Sequence, residues 1–583
     1  MGGACESGGL AARWAVASGT VAPGIGRWVV AVLVLGALSV PSVAQGSEWP
    51  QWRGPNRDGR AVGGELPSEL PATLHQIWKV RVGGGQSSPI LVGDRVFVHA
   101  RQGEEEVVLA LSASTGEELW RHSYVAAYAP RTAAIQYGPG PKSTMLAEGD
   151  SVYSFGIRER LLALDADSGK VRWEKTFDHL YEEPYPIWGT ASSPLVEGNL
   201  LIVPIGTTGN EDQGDEGALV AYDKMTGEEV WRVDGPPAYA SPMAFDHGGV
   251  RQIVTMSDVS FFGVGATDGD PLWSLDFTTA FQQNTPTTVR YDGNFILSGY
   301  QWGTAAIRVE PPAKAKGDWS VSEVWKTTDA ELYMDSAVLV GDHLYFRSNK
   351  RAGTFVCLDP ATGEIVWQGP GRWAAYASVI AVGDRLLVLT DEAELKVIAA
   401  DPSAYRELAS WEVADSTTWA HLALSGSRVY VKDEEHLAAF DLASTRVTEA
   451  GERSAATASA TADTAGGSKE DTEAVKVAVR AMLKAMAAGD MDLMWTYLGE
   501  DFRSYSGADK DVFRDYLGST AGSETPSDEM VVEWDGATAK VIGTRWITSA
   551  GLDFGLEMLV NKRGGKWLVT WMDFDSRRIH GQE

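Results

Sequence analysis

One pattern of apolar and polar positions recurs along this chain. An aliphatic run enters an acidic turn that ends in Ser-Gly or Thr-Gly, and a short stretch then closes on tryptophan, as in LLALDADSGKVRW (161–173) and FVCLDPATGEIVW (355–367). Alternating apolar and polar residues on both sides of a Gly-containing turn are typical of two antiparallel strands. The pattern therefore predicts β-hairpins whose second strand carries the tryptophan.

The turn between these strands has a local chemical cause. In the copy at 161–173, the Asp165 carboxylate can accept hydrogen bonds from backbone N–H groups two or three residues later, and Gly169 can adopt the positive φ that closes the turn. We therefore expect a tight, side-chain-capped turn in each copy that keeps both residues.

The spacing of eight tryptophans sets the number of repeats. The shortest interval, from Trp78 to Trp120, is 42 residues, which is the length of a four-stranded propeller blade. The last repeat has no closing tryptophan, while Trp78 has no strands before it, so the strand of Trp78 should complete the eighth blade. The sequence thus predicts an all-β eight-bladed propeller. The tryptophans predicted to wedge between its blades are Trp78, Trp120, Trp173, Trp231, Trp273, Trp325, Trp367 and Trp411.

Polar and aromatic residues recur where the inner strand of each blade should start, as in ASSP (191–194) and YASP (239–242). Crowding of eight strands around one axis would by itself select Ser and Thr. The larger neighbours could instead form a ligand or partner site at one mouth of the central channel. The predicted mouth residues are Trp188, Tyr239, Asn284, Tyr333, Asp335, Tyr376, Trp419 and His421. In the leader, Trp49, Trp52 and Arg53 are predicted to pack over the opposite face.

The A-x-D-x-x-T/S-G-x-x-x-W repeat and the leader WPQWRGPNRDG (49–59) resemble the bacterial pyrroloquinoline-quinone (PQQ) repeat family. The resemblance implies a PQQ-like, quinoprotein-like β-propeller over residues 45–445. That family includes quinoprotein alcohol dehydrogenases and a non-catalytic lipoprotein of the outer-membrane assembly machinery, and this chain looks closest to the non-catalytic members. The repeat is specific for the fold and not for the cofactor.

The catalytic features of the family's alcohol dehydrogenases are not matched. Those enzymes stack the quinone between a tryptophan and a disulfide of adjacent cysteines, whereas this chain has only Cys5 and Cys357. The acidic loop 210–217 lacks the spacing of a recognised calcium site, and the histidines are scattered. No catalytic or metal-binding residue is therefore assigned.

Two functions remain open. The first is a non-enzymatic scaffold that needs no cofactor and binds an envelope protein or peptide at the channel mouth. The second is an oxidoreductase that uses PQQ with calcium to act on an alcohol or sugar. Under either function, the net charge of −29 disfavours nucleic acid and anionic lipid as partners.

The N-terminal 44 residues have the pattern of a signal peptide. Arg27 precedes the apolar run WVVAVLVLGALSV (28–40), and small residues follow it up to Ala44. Cleavage there predicts a periplasmic or secreted protein with no transmembrane segment in the mature chain. An uncleaved membrane anchor and a later start codon are the alternatives.

The composition changes after the last repeat. Residues 446–470 are small, polar and without periodicity, which is typical of a flexible linker. Residues 471–583 predict a helix followed by an antiparallel meander, and this order resembles the SnoaL-like (nuclear-transport-factor-2-like) fold. The resemblance implies a small α+β cone-shaped domain that catalyses, binds a ligand or dimerises.

Overall fold

The structure is a computed structural model, and it describes most of the predicted propeller and part of the C-terminal region. The described residues are 48–63, 66–130, 132–177, 188–206, 217–235, 238–280, 283–313, 317–350, 353–371, 373–443, 469–487, 491–498, 531–535, 538–547, 553–563 and 566–575. The predicted signal peptide lies outside them, as do residues 446–468 of the predicted linker and residues 210–216 of the acidic loop.

The described residues between 75 and 441 form 32 strands in eight antiparallel four-stranded sheets, which confirms the predicted eight-bladed propeller. The chain enters through strand β1, His75–Arg81. Blade 1 contains β2 (Ile90–Val92), β3 (Arg95–Gln102), β4 (Glu105–Ser112) and β5 (Glu118–Val125). Blade 2 contains β6 (Leu146–Glu148), β7 (Ser151–Phe155), β8 (Leu161–Asp165) and β9 (Val171–Lys175). A 3-10 helix, Thr132–Tyr137, lies between these two blades.

The other blades repeat this up-and-down order. Blade 3 contains β10 (Leu195–Glu197), β11 (Leu200–Ile205), β12 (Ala218–Asp223) and β13 (Glu229–Asp234). Blade 4 contains β14 (Met243–His247), β15 (Val250–Met256), β16 (Ser260–Gly265) and β17 (Pro271–Asp276). Blade 5 contains β18 (Val289–Tyr291), β19 (Asn294–Gly299), β20 (Gly303–Glu310) and β21 (Ser320–Thr327). Blade 6 contains β22 (Val338–Val340), β23 (His343–Ser348), β24 (Thr354–Leu358) and β25 (Ile365–Gln368). Blade 7 contains β26 (Ala377–Val382), β27 (Arg385–Thr390), β28 (Glu394–Ala399) and β29 (Glu407–Glu412).

Blade 8 is closed by the N-terminal strand. Its own strands are β30 (Ala423–Ser425), β31 (Arg428–Lys432) and β32 (His436–Asp441), and β1 pairs with β32 as the fourth strand. Trp78 lies opposite Ala439 in this pair. The prediction of ring closure is confirmed, and closure leaves no long unpaired edge on β32.

The repeated tryptophan docks on the turn of the following blade. Trp120 of blade 1 donates from Nε1 to the carbonyl oxygen of Ala166 at 2.9 Å, and its ring covers Gly169, where a Cβ would lie 2.4 Å from the indole. Six more of these donations reach a main-chain carbonyl: Trp78 to Ala113, Trp173 to Lys224, Trp231 to Ala266, Trp325 to Pro360, Trp367 to Asp401 and Trp411 to Pro71. Trp273 departs from the rule and donates to the Gln252 side chain of its own blade. The glycine of the repeat is thus required by contact as well as by φ.

The turn chemistry agrees with its prediction. The backbone N–H of Ser168 donates to Asp165 Oδ1 at 2.9 Å, and Gly169 has a φ of 68°. A register irregularity next to the tryptophan recurs in seven blades, as between Ala163 and Leu164 opposite β9, and in blade 7 it lies two residues away from Trp411. Such bulges increase local twist and help aim the indole at the neighbouring blade.

The C-terminal region contains α1 (Lys469–Ala487), α2 (Met491–Trp495) and a four-stranded antiparallel sheet. Its strands are β33 (Val531–Asp535), β34 (Thr538–Ile547), β35 (Asp553–Arg563) and β36 (Lys566–Asp575). Val475, Val479 and Met482 of α1 are buried in one cluster with Val541 and Val560 of the sheet. The SnoaL-like domain remains a prediction, because residues 499–530 and other connections lie outside the described residues. No helix in the described residues combines the length and apolarity that a membrane crossing requires.

Candidate binding site at the channel mouth

The small hydroxyl residues at the inner-strand starts join neighbouring blades. The backbone N–H of Ser88 donates to Thr144 Oγ1 at 3.3 Å, that of Thr144 to Ser193 Oγ at 3.0 Å, and that of Ser193 to Ser241 Oγ at 3.0 Å. In blade 8 the backbone N–H of His421 continues the series and donates to Ser88 Oγ at 2.9 Å. These hydroxyls therefore stabilise the ring, which favours the structural interpretation of their recurrence.

A cavity of about 140 Å³ lies among these strand starts. Its lining comes from the leader, from the inner-strand starts of all eight blades and from the 3-10 helix. The lining residues are Trp52, Gln86, Ser88, Tyr137, Lys142, Trp188, Ala191, Tyr239, Ser241, Gln283, Thr285, Tyr333, Met334, Tyr376, Trp419 and His421. Six of the eight predicted mouth residues are therefore brought together: Trp188, Tyr239, Tyr333, Tyr376, Trp419 and His421.

The other two predicted mouth residues do not line the cavity. Asn284 is fully buried, and its Nδ2 donates to the carbonyl oxygens of Ser257 at 2.7 Å and Phe277 at 3.0 Å. Asp335 is also buried, accepts a hydrogen bond from the Ala377 N–H at 3.0 Å and pairs with Arg347 at 3.4 Å. Both side chains brace loops behind the cavity, because they satisfy backbone groups that would otherwise be buried without partners.

Aromatic rings form most of the wall. Tyr376 stacks on Trp419 with ring centroids 5.4 Å apart and an interplanar angle of 26°. Tyr137 meets Trp419 edge-on at 5.1 Å and lies 5.8 Å from the Trp188 ring. Trp188 and Trp419 stay partly exposed in this wall, so part of each indole can contact a ligand.

The leader contributes one face of the cavity. Trp52 lies 4.3 Å from the His421 ring and donates from Nε1 to Thr287 Oγ1 at 3.1 Å. Trp49 and Arg53 are buried, as expected of packing residues, and Arg53 donates to the Ala337 carbonyl oxygen. The prediction that Trp52 packs over the opposite face is therefore wrong, because its indole turns into the channel.

Tyr137 lines the cavity although it was not among the predicted mouth residues. This residue ends the 3-10 helix Thr132–Tyr137, and it belongs to neither a strand nor a repeat turn. The interval of 53 residues between Trp120 and Trp173, against the 42 of an uninterrupted blade, marked an insertion at this point. That insertion was the available signal, since blade insertions collect on the faces where propellers bind ligands.

Two buried polar side chains of the lining have no hydrogen-bond partner for their polar atoms among the described residues. Both ring nitrogens of His421 and the hydroxyl of Tyr239 lack a hydrogen-bond partner among the described residues. His421 is only 2% exposed and Tyr239 only 6%. Burial, and then the nearby Arg53, lower the pKa of His421 to about 3, so its ring is neutral. Burial raises the pKa of Tyr239 far above its ordinary value. Unpaired groups of this kind usually mark a place for water or a ligand.

Lys142 is the only side chain of the lining that carries a formal charge. Its Nζ donates to the Trp188 carbonyl oxygen at 2.8 Å. Desolvation lowers its pKa to about 8, against a smaller opposing effect of Glu106. Lys142 is thus a cation near neutral pH, and no carboxylate of the described residues lies within ion-pair distance of it.

This propeller matches the family model described as "Outer membrane protein assembly factor BamB" over residues 70–137 and 104–369, which together span just over half of the chain. The chain belongs to this family. The resemblance to PQQ-repeat propellers is thereby confirmed at the level of the family, which includes both BamB-type scaffolds and PQQ alcohol dehydrogenases.

Curated relatives of this BamB-family chain are dehydrogenases. It is 34% identical over 176 residues to the quinohemoprotein alcohol dehydrogenase ADH IIB of Pseudomonas putida, covering 29% of this chain and 21% of that one. It is 27% identical over 394 residues to a 1-butanol dehydrogenase (quinone) of Thauera butanivorans, covering 60% of this chain and 55% of that one. The chain therefore spans between about a fifth and about half of these relatives.

Solved structures show the same fold. The quinohemoprotein alcohol dehydrogenase of Comamonas testosteroni superposes with a TM-score of 0.51 at 14% identity, covering 70% of this chain and 82% of that one. A europium-containing methanol dehydrogenase gives a TM-score of 0.50 at 12% identity, with coverages of 68% and 98%. Identities this low establish the propeller and not its activity.

The cavity of this BamB-family propeller does not fit the quinone of its relatives. PQQ carries three carboxylates, whereas the lining offers one cation, Lys142, and no carboxylate for a calcium ion. The cavity is about the size of an engineered cavity of about 150 Å³ that takes one benzene ring. Elsewhere in the described part of the chain, no group of three or more His, Cys, Asp and Glu side chains could hold a metal.

Proposed function

We propose that this protein is an exported, non-enzymatic binding protein that captures an envelope protein or peptide at the channel mouth. The observation that carries the proposal is one cavity that combines aromatic walls with the unpaired His421 and Tyr239 side chains. A partner that inserts one side chain or chain end would stack on the rings and satisfy these polar atoms. Buried aromatic pockets of this kind dominate the energy of protein recognition.

The oxidoreductase is the second candidate, because the curated relatives are named as quinone-dependent dehydrogenases. The lining argues against it for this chain, since one lysine cannot balance three carboxylates in a desolvated site. We further propose that the C-terminal helix and sheet act as an accessory SnoaL-like module that binds or dimerises.

The test is partner capture by full-length protein with an altered mouth. We expect Trp188→Ala combined with Trp419→Ala to abolish cross-linking to envelope partners, because both indoles are partly exposed in the cavity wall. Trp319→Ala is the matched control, since that partly exposed indole stacks on His247 outside the cavity. Capture that survives the double substitution would place the working surface elsewhere.

The oxidoreductase is tested in parallel with PQQ and calcium. We expect neither a stoichiometric bound chromophore nor dye-linked oxidation of alcohols. Micromolar or tighter PQQ binding with turnover would replace the proposal by the second candidate.

A further inference from the structure

One cation, Lys142, belongs to the cavity lining of this acidic protein. Arg53 and Arg57 are buried outside the lining and donate to main-chain carbonyls such as those of Ala337 and Pro194. Among the described residues, no carboxylate lies within 4.0 Å of any of these three cations. Buried cations without counter-ions are costly, and Lys142 is the one in the lining, so the cavity favours a guest with a single anionic group.

The unpaired polar groups have the matching chemistry. A neutral imidazole has one N–H donor, a tyrosine hydroxyl has one O–H donor, and an ammonium group has three N–H donors. The His421 and Tyr239 atoms are unpaired among the described residues, and Lys142 uses one donor on the Trp188 carbonyl. A carboxylate is an acceptor only, so its chemistry matches donors of this kind.

A second cleft, of about 340 Å³, continues from the cavity between blades 8 and 1. It shares Gln86, Tyr137 and Trp419 with the cavity lining. Two glycine-rich loops in its lining are in contact, since a Cβ at Gly140 would lie 2.5 Å from Gly85 Cα. The charged side chains of Arg101, Lys432, Asp433 and Glu434 also line the cleft, which suits the polar backbone of an extended peptide.

The cavity and the cleft together suit the end of a chain rather than its middle. Trp52 lines the cavity from the leader, and the cleft between blades 8 and 1 shares three lining residues with the cavity. This cleft gives a guest in the cavity a lateral path along which to continue. The cavity has room for about one aromatic ring.

Resting on the function proposed above, we infer that the guest is the C-terminus of an extended peptide. Its terminal carboxylate lies beside Lys142, the planar side chain of its last residue packs on Trp188 and Trp419, and the preceding residues lie in the cleft between blades 8 and 1.

The experiment uses acetylated pentapeptides Gly-Gly-Ser-Ser-X with all twenty residues at X, each as the free acid and as the C-terminal amide. Full-length protein is incubated with both pools, and the retained peptides are measured by mass spectrometry. We expect free acids with aromatic X to be enriched roughly tenfold or more over their amides, because charge-assisted hydrogen bonds are lost in the amide. Lys142→Met should remove this preference, whereas Lys170→Met, an exposed lysine on a blade turn, should retain it.

The outcomes separate the two proposals. In one outcome, acids and amides are retained equally or neither is retained, while partner capture still depends on Trp188 and Trp419. This outcome would overturn the inference and leave the proposed binding function in place. Enrichment of acids that Lys142→Met does not change would also overturn it, since the carboxylate would then be bound elsewhere. Loss of both peptide binding and mouth-dependent capture would overturn both.

Discussion

Replacing Gly169 by alanine tests whether the tryptophan of one blade is held on the turn of the next. Gly169 has a φ of 68°, a conformation that costs an alanine about 1–2 kcal/mol. The new methyl group would also lie 2.4 Å from the Trp120 ring, and relieving such a contact in a packed core costs about 1–3 kcal/mol more. The expected loss in the free energy of unfolding is therefore about 2–5 kcal/mol.

Gly93 provides the matched control for backbone strain. Its φ is 60°, nearly that of Gly169, but no atom lies within 4 Å of the position of its missing Cβ. Gly93→Ala should therefore cost only the conformational part, about 1–2 kcal/mol. Urea unfolding of the full chain, monitored by circular dichroism, measures the loss in the free energy of unfolding for both glycine variants. The midpoints can be compared if the m-value is the same in all proteins.

A second substitution isolates the contact itself. Trp120→Leu removes the ring, so Gly169→Ala in that background should cost no more than Gly93→Ala does in the unaltered protein. Equal costs for the two glycine variants, or a Gly169→Ala cost that Trp120→Leu leaves unchanged, would refute the docking argument.

Two further predictions concern ring closure and charge. Deleting residues 46–80 removes all of β1 except Arg81 and exposes the edge of β32, so we expect aggregation in size-exclusion chromatography. A soluble product with cooperative unfolding would contradict closure. Binding of the free-acid peptides should weaken as the pH rises through about 8, because Lys142 loses its proton there. His421, with a pKa lowered to about 3, and Tyr239 and Tyr376, with pKa values raised by burial, stay neutral over that range, while Arg53 stays charged up to a pKa of about 10. Lys432 of the cleft also has a pKa lowered to about 8, so Lys142→Met should reduce the pH dependence between about pH 6.5 and 9.5 without removing it. A pH profile that Lys142→Met leaves unchanged, or a flat profile in the unaltered protein, would count against the assignment to Lys142.

The propeller was predictable from sequence because its determinants act over short distances. Alternation in a strand, a carboxylate such as Asp165 capping its own turn, and a glycine such as Gly169 at positive φ each depend on residues within a few positions. Repetition then sets the blade length, and the complementary defects at the two ends indicate closure by the strand of Trp78. The contact of Trp120 with Gly169 was not evident in advance, since those residues meet only when adjacent blades pack.

The channel mouth depended on tertiary structure. Asn284 and Asp335 occupy the same kind of position as Tyr239 and Tyr376, yet they turn away to satisfy buried backbone groups, while Trp52 arrives from the leader. Which side chain faces the channel is decided by the direction of each loop after eight blades have packed, and no local pattern records that direction. The sequence by itself thus determined the architecture and the composition of the mouth, whereas packing between distant segments decided which residues form the cavity.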